Sequence, residues 1–171
     1  MPHSIPSLDT ARFTLRHWRE SDIPDLLDLD DDPEVTRYVG STAGRAEREA
    51  LWRGPIGREA ERVQLCIRLH GSKEFIGWAF LRPFRDASGD WELGYRLRKA
   101  WWGRGVGTEV ATALMAWGWA QPEISVIGAV YETPNIASRA IMLKVGMRDA
   151  GERNYHDGGL LPYCEARRAK A

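Results

Sequence analysis

The sequence predicts an α/β (α+β) fold: a single domain with a central mixed, mostly antiparallel sheet flanked by helices on both faces. Three observations predict it. Short segments with two-residue apolar alternation recur along the chain, and apolar residues at helical spacing fill the intervals between them. The order runs strand, helices, antiparallel strands, then strand, helix, strand, helix, strand. The chain has 171 residues, 43% of them hydrophobic, which is enough to bury a real core. Neither an internal repeat nor a low-complexity linker divides it, so residues 1–171 are expected to form one domain.

Arg12 to Trp18 alternates, with Phe13, Leu15 and His17 against Thr14, Arg16 and Trp18, and reads as the first strand. Ser21-Asp22-Ile23-Pro24 supplies a cap and an early proline, so a helix is expected through Leu26, Leu27 and Leu29. Asp30-Asp31-Asp32-Pro33 closes it as a solvated helix end; three consecutive carboxylates point apart and do not make a metal site. A second helix is expected from Ala46 to about Arg53. Val63 to His70 and Phe75 to Leu81 form a hairpin about His70-Gly71-Ser72-Lys73, and Trp91 to Leu97 follows as another strand. Val106, Val110, Leu114 and Trp117 mark a helix that begins near Thr108 and ends at Pro122. Ser125 to Tyr131 is a β-branched strand. Pro134-Asn135 opens a last helix, closed by Gly146, and Gly151 to Ala166 supplies one or two edge strands.

Lys+Arg and Asp+Glu balance at 24 each, so a broad nucleic-acid surface is not expected. No apolar stretch approaches the ~20 residues of a membrane span, and the N-terminus lacks a secretory pattern. Cys66 and Cys164 stand far apart, outside any metal-type spacing, which fits two reduced thiols in a cytoplasmic protein without a metal. An exposed sheet edge makes a homodimer a possible assembly.

One segment carries chemistry. Trp102-Gly103-Arg104-Gly105-Val106-Gly107-Thr108 lies between a strand and a helix. Its alternating glycines let the backbone turn tightly and approach a ligand. The helix start that follows offers N–H groups and the positive end of a dipole to an anion. Arg104 in the loop, with Arg98 and Lys99 before it, adds positive charge. A phosphate cradle is the expectation. A P-loop is excluded because Gly-Lys-Ser/Thr is missing. The dinucleotide fingerprint is excluded because its sixth position falls on Thr108 or Val110 instead of glycine.

Glu92-Leu93-Gly94-Tyr95-Arg96-Leu97 followed by Trp102 through Glu109 resembles the GNAT acyltransferase superfamily, and within it the ribosomal-protein N-terminal acetyltransferase-like (RimJ/RimL-type) branch. The superfamily's Gln/Arg-x-x-Gly-x-Gly/Ala loop becomes Trp102-x-x-Gly105-x-Gly107 here, departing at its first position. Asn135-Ile136-Ala137-Ser138-Arg139 with Lys144-Val145-Gly146-Met147 resembles the branch's Asn-x-x-Ser…Lys-x-Gly-Phe segment. Thr14-Leu15-Arg16 with Ser21-Asp22 resembles its opening. The three matches stand in the right order over nearly the whole chain. They imply a GNAT-type domain whose cofactor-binding core covers about 75–147.

The resemblance implies transfer of an acetyl group from acetyl-CoA to a primary amine, either a protein N-terminal α-amine or a small-molecule amine. The loop residues Trp102, Gly103, Arg104, Gly105, Val106, Gly107 and Thr108 would hold the diphosphate. The Leu97 and Lys99 backbones, beside Arg98, would run along the pantetheine arm. Such a reaction needs a base, because an attacking α-amine of pKa near ~8 must shed its proton. Glu92, a carboxylate in mid-strand, is the first candidate and Glu132 the second. Ser138 would hydrogen-bond the leaving thiolate, since the tyrosine many superfamily members carry one helical turn later is Met142 here. Asn135 would cap its helix or contact the pantetheine arm. The alternative is a non-catalytic acyl-CoA-binding module that keeps the cradle without the chemistry.

Overall fold

The computed structural model describes residues 5, 7–39, 43–58, 64–155 and 159–169. Eight strands and four helices follow in the order β1 Leu8–Asp9, β2 Phe13–His17, α1 Ile23–Asp31, α2 Arg45–Arg53, β3 Gln64–Leu69, β4 Phe75–Pro83, β5 Trp91–Leu97, α3 Val106–Trp119, β6 Val126–Val130, α4 Ile136–Lys144, β7 Arg148–Asn154 and β8 Leu160–Arg167. One sheet carries the strands in the order β1-β2-β3-β4-β5-β6-β8-β7. β1–β2, β2–β3, β3–β4, β6–β8 and β8–β7 pair antiparallel and β5–β6 parallel, so the mixed, mostly antiparallel sheet is as the sequence predicts. The tail departs from expectation. Both its strands form, but β8 pairs β6 on one side and β7 on the other, so only β7 is an edge.

Two compact units share the chain, and β4 and β5 contribute to both. The first comprises Met1–Phe80 with Tyr95–Val106, the second Leu81–Gly94 with Gly107–Ala171. In the first, α1 buries Ile23, Leu26, Leu27 and Leu29 against an aromatic cluster of Trp18, Phe75, Trp78 and Phe80. These leucines recur three and four apart, which puts them on one stripe of the helix. Asp22 does not cap α1 through its side chain, contrary to expectation. It is 1% exposed. Its carboxylate receives Arg16 at 2.7 and 3.0 Å, the Arg19 N–H at 2.8 Å, and Arg68. Those donors tie the α1 entrance to β2 and β3.

The acidic run that ends α1 is not uniformly solvated either. Asp31 is exposed and paired with Arg45 and Arg48, whereas the Asp30 side chain is only 7% exposed and meets Arg96 of β5. The Trp52 indole donates to its other oxygen at 2.7 Å. The Asp30 carboxylate is engaged inside the fold.

In the second unit, β5 and β6 pair over only two rungs, Trp91↔Ile127 and Glu92↔Gly128. Gly128 is obligatory for packing, because a Cβ there would lie 2.3 Å from the Tyr163 hydroxyl. Trp117 tilts against Trp91 at 6.3 Å, and the Arg168 guanidinium covers Trp119. In the first unit Trp101 meets Phe13 edge-on at 5.8 Å. All three tryptophans serve packing. Cys66 and Cys164 are buried and unpaired, and burial pushes both thiols up to about 11. No helix among the described residues is long and apolar enough to cross a membrane.

Candidate functional site

The glycine loop follows a single 3-10 turn at Lys99–Trp101. That turn consumes carbonyls locally: the Trp101 N–H donates to Arg98 at 2.9 Å and the Trp102 N–H to Lys99 at 3.1 Å. The Trp102 indole reaches back to the Leu97 carbonyl at 2.9 Å, bracing the loop against the end of β5. Gly103 and Gly105 then take φ of 71° and 74°. Side chains rarely adopt this left-handed conformation, so alternating glycines are needed to make the turn. A Cβ at Gly103 would meet nothing within 4 Å. Space lies open over the loop there. Val106 starts α3 directly afterwards, two residues earlier than expected. The first turn of a helix has N–H groups with no intrahelical acceptor, here Val106, Gly107 and Thr108.

Positive charge at the loop comes partly from a residue that local reasoning missed. Arg12, just ahead of β2, donates through Nη2 to the Arg104 carbonyl at 3.0 Å. The same Nη2 would stand 3.8 Å from a Cβ on Gly105. The Arg104 guanidinium sits over the Trp101 ring at 5.2 Å. The Arg98 side chain instead pairs with Asp25 at 3.1 Å, and Lys99 Nζ stands 3.8 Å from Glu34. Open space, bare helix-start N–H groups and two arginines suit a diphosphate. Among the described residues no cluster of three or more His, Cys, Asp or Glu could hold a metal ion.

Glu92 lies on β5 and is 3% exposed. Arg82 of β4 clasps it, Nε at 3.1 Å and Nη2 at 3.0 Å. The Tyr155 hydroxyl hydrogen-bonds the same carboxylate, and burial with the Glu92 charge pushes that phenol up to about 12, so it stays protonated. Glu92 and Tyr155 line a cleft of 530 Å³ with Phe84, Asp86 and Arg153. Arg153 ties the cleft's rim by reaching Asp90 at 2.9 Å, the Tyr163 hydroxyl at 2.9 Å and Asp86. Tyr155 was not foreseen, for it follows β7 in a weakly patterned tail.

Asn135 caps α4: its Oδ1 accepts the Ser138 N–H at 3.2 Å, so the amide's capping role is the one seen. Ser138 is half-buried in the first turn of α4, and Met142, one helical turn on, is buried. Arg139 is bound to Asp149 through Nε at 3.0 Å and through Nη2. Glu132 is exposed, and its carbonyl receives the Asn135 N–H at 2.7 Å. Glu92 and Ser138 stand on separate elements of one unit, each held by its own partners. His156 and Asp157 lie outside the described residues.

A sequence model of the acetyltransferase (GNAT) domain family matches residues 12–148. The chain is 27% identical over 151 residues to the uncharacterized N-acetyltransferase YoaA of Bacillus subtilis, covering 86% of this chain and 85% of that protein. Among solved structures, a putative ribosomal-protein-serine acetyltransferase from Vibrio cholerae superposes with a TM-score of 0.80 at 16% identity, over 96% of this chain and 99% of that one. RimL, a ribosomal L7/L12 alpha-N-protein acetyltransferase solved with coenzyme A, superposes at 0.77 and 16% identity, over 95% and 98%. At these identities the structural likenesses establish the fold.

Proposed function

The chain belongs to the GNAT acetyltransferase family and is an acetyl-CoA-dependent acetyltransferase, and from that premise we propose that it acetylates a primary amine by direct attack, in the manner of the RimJ/RimL-type branch. The observation that carries this reading is the glycine loop opening onto the start of α3. Its N–H groups, with Arg12 and Arg104 beside them, form a diphosphate cradle. The residues from Trp102 to Thr108 hold the coenzyme there, and the backbone at Leu97 and Lys99 follows the pantetheine arm. Past Glu92 the β5–β6 ladder ends, which leaves peptide groups of β5 without β6 partners and suited to hydrogen-bond an acyl-thioester.

Glu92 takes the proton from the amine. Arg82 clasps its carboxylate, and the Tyr155 hydroxyl on the same carboxylate fixes its orientation. The nitrogen lone pair forms the new C–N bond at the acetyl carbon and the C–S bond breaks. Ser138 stabilises the departing thiolate through a hydrogen bond from its hydroxyl. The donors at the reacting carbonyl matter most where charge develops. The two buried free thiols support a reducing, cytoplasmic setting.

Calorimetric titration with acetyl-CoA, paired with free-thiol release over a panel of amines, tests this. Binding that is abolished in Gly105→Asp, where a carboxylate enters the cradle at a φ of 74°, is the expected result. Unchanged affinity in that variant refutes the cradle. Tight binding without turnover of any amine favours the acyl-CoA-binding module instead.

A further inference from the structure

The last rung between β5 and β6 is Glu92↔Gly128, yet β5 runs on to Leu97. Beyond that rung its sheet neighbour is β4, where the Arg98 N–H donates to the Ile76 carbonyl at 2.8 Å. The approach to β4 is close. A Cβ on Gly77 would lie 2.1 Å from the Arg96 carbonyl oxygen and 2.9 Å from the Leu97 Cα. Because Arg98 turns its N–H to β4, Leu97 between the two arginines turns its own peptide groups the other way, and its carbonyl accepts the Trp102 indole at 2.9 Å. A strand end held by a neighbour on one side only has fewer bonds to fix its position, so side chains must supply the rest.

Arg96 and Arg98 do so. They stand two residues apart and therefore point to one face of the sheet, where α1 meets both. Asp25, in the first turn of α1, takes Arg98 at 3.1 Å, and Asp30, near its end, takes Arg96. The Arg96–Asp30 pair is the buried one. The guanidinium lies over the Trp78 ring at 5.5 Å, and the Trp52 indole donates to the same carboxylate at 2.7 Å. The Arg98–Asp25 pair is about a third exposed on each side, and Asp25 also holds Arg68 of β3 at 2.8 Å. The third contact, Lys99 to Glu34 at 3.8 Å, is open to solvent and adds little. All of these residues belong to the first unit. The two arginines that precede the glycine loop are thus turned to α1, and α1 is itself seated by its buried leucines and by the donors around Asp22.

We propose that Arg96 and Arg98 are positioning residues for acetyl-CoA. By fastening the end of β5 to α1 they hold the backbone from Leu97 to Lys99 where the pantetheine arm runs, and they act through that backbone rather than by offering charge to the phosphates. This rests on the placement of the arm in the reading above. Calorimetry on the full chain tests it with two probes, acetyl-CoA and 3′-phospho-ADP, which is the coenzyme without its arm. Arg98→Met leaves Asp25 paired with Arg68, so the fold should stand. It should weaken acetyl-CoA binding about fivefold, and Arg96→Met about tenfold, each with the affinity for 3′-phospho-ADP unchanged. Asp25→Asn separates positioning from charge. It should weaken acetyl-CoA binding as Arg98→Met does, and the double variant should bind no worse than Asp25→Asn alone. An Arg98 that served the phosphates directly would be released by Asp25→Asn, and affinity would rise. Equal losses for both probes, unchanged acetyl-CoA affinity in both arginine variants, or a gain in Asp25→Asn overturns the proposal. Acetyl-CoA binding that Gly105→Asp abolishes and both arginine variants keep overturns the proposal alone; a parent that binds no acetyl-CoA defeats the reading beneath it as well.

Discussion

Asp22 and Glu92 are carboxylates of almost equal burial, 1% and 3% exposed, one in each compact unit. Their surroundings separate them. Asp22 is enclosed by donors: Arg16, Arg68 and the Arg19 N–H all point at it, with the Cys66 thiol 3.8 Å away. Burial alone would push its pKa up, but the Arg16, Arg19 and Arg68 hydrogen bonds outweigh that and bring it from the ordinary 3.8 to about 2. Glu92 has one arginine and one phenol, and it faces a cleft of 530 Å³. A buried charge that is fully paired and walled in is a structural fastening. One that is partly paired and open to a cavity is the one proposed to exchange a proton. Burial does not tell the two apart; access does.

That contrast breaks most readily at Asp22. Asp22→Ala leaves Arg16 and Arg68 facing each other without their shared anion, and is expected to cost about 3–5 kcal/mol of stability, read from urea denaturation at neutral pH. Glu92→Gln removes only the charge facing Arg82, whose side chain is 23% exposed and can reach water, so its stability cost should be about 1 kcal/mol. Should Glu92→Gln prove the more destabilising of the two, the division between fastening and working carboxylate is wrong.

Kinetics should reverse the ranking. Glu92→Gln keeps the hydrogen-bonding shape but cannot take a proton, and is expected to lower kcat about 100-fold while sparing acetyl-CoA affinity. Tyr155→Phe supplies a finer probe, since it removes the hydroxyl that orients the carboxylate and keeps the ring. A Glu92→Gln enzyme with the parent's kcat would reassign the base, with Glu132 next in line.

Acid titration sharpens the comparison further. Asp22 has a depressed pKa in the fold, so its contribution is fully present above the ordinary value near 3.8. It is lost as pH falls through about 2. A difference of that size corresponds to about 2 kcal/mol. Unfolding free energies from urea titrations between pH 5 and pH 2 should therefore fall in the parent by that much more than in Asp22→Ala, which has already lost the pairing. Parallel curves would show that Asp22 is not what acid unfolds.

How much of this could be read from the chain alone depends on how local each feature is. The strand from Trp91 to Leu97 and the glycine turn were legible, because alternation, a run of glycines and a helix start are written in consecutive residues. The Asn135 cap was legible for the same reason. Illegible were the contacts that bring distant residues together: Asp30 to Arg96, 66 positions apart, and Arg12 to the Arg104 carbonyl, 92 apart. The run Asp30-Asp31-Asp32 read as a solvated end because nothing in its neighbourhood announces a buried arginine from β5. Tyr155 was hidden likewise, for its significance lies in reaching Glu92 on another strand. The tail read as edge strands because pattern reports which residues alternate and not which strands they lie between.

The smallest expected effect bears on the α4 start, where Asn135 and Ser138 divide two duties three residues apart. Asn135 holds the helix end by accepting the Ser138 N–H. Asn135→Ala should cost about 1 kcal/mol of stability. The Ser138 hydroxyl has no part in that cap, which uses the backbone N–H, and alanine is the better helix former. Ser138→Ala should therefore leave stability unchanged or slightly raised. If the hydroxyl supports the leaving thiolate, the same variant should still lower kcat about tenfold, the worth of one hydrogen bond made in the transition state. The loss should also shrink with a thioester whose thiol is more acidic, because such a leaving group needs less help. A uniform loss across thioesters, or none, would make Ser138 a helix residue only and move the support of the thiolate to another donor.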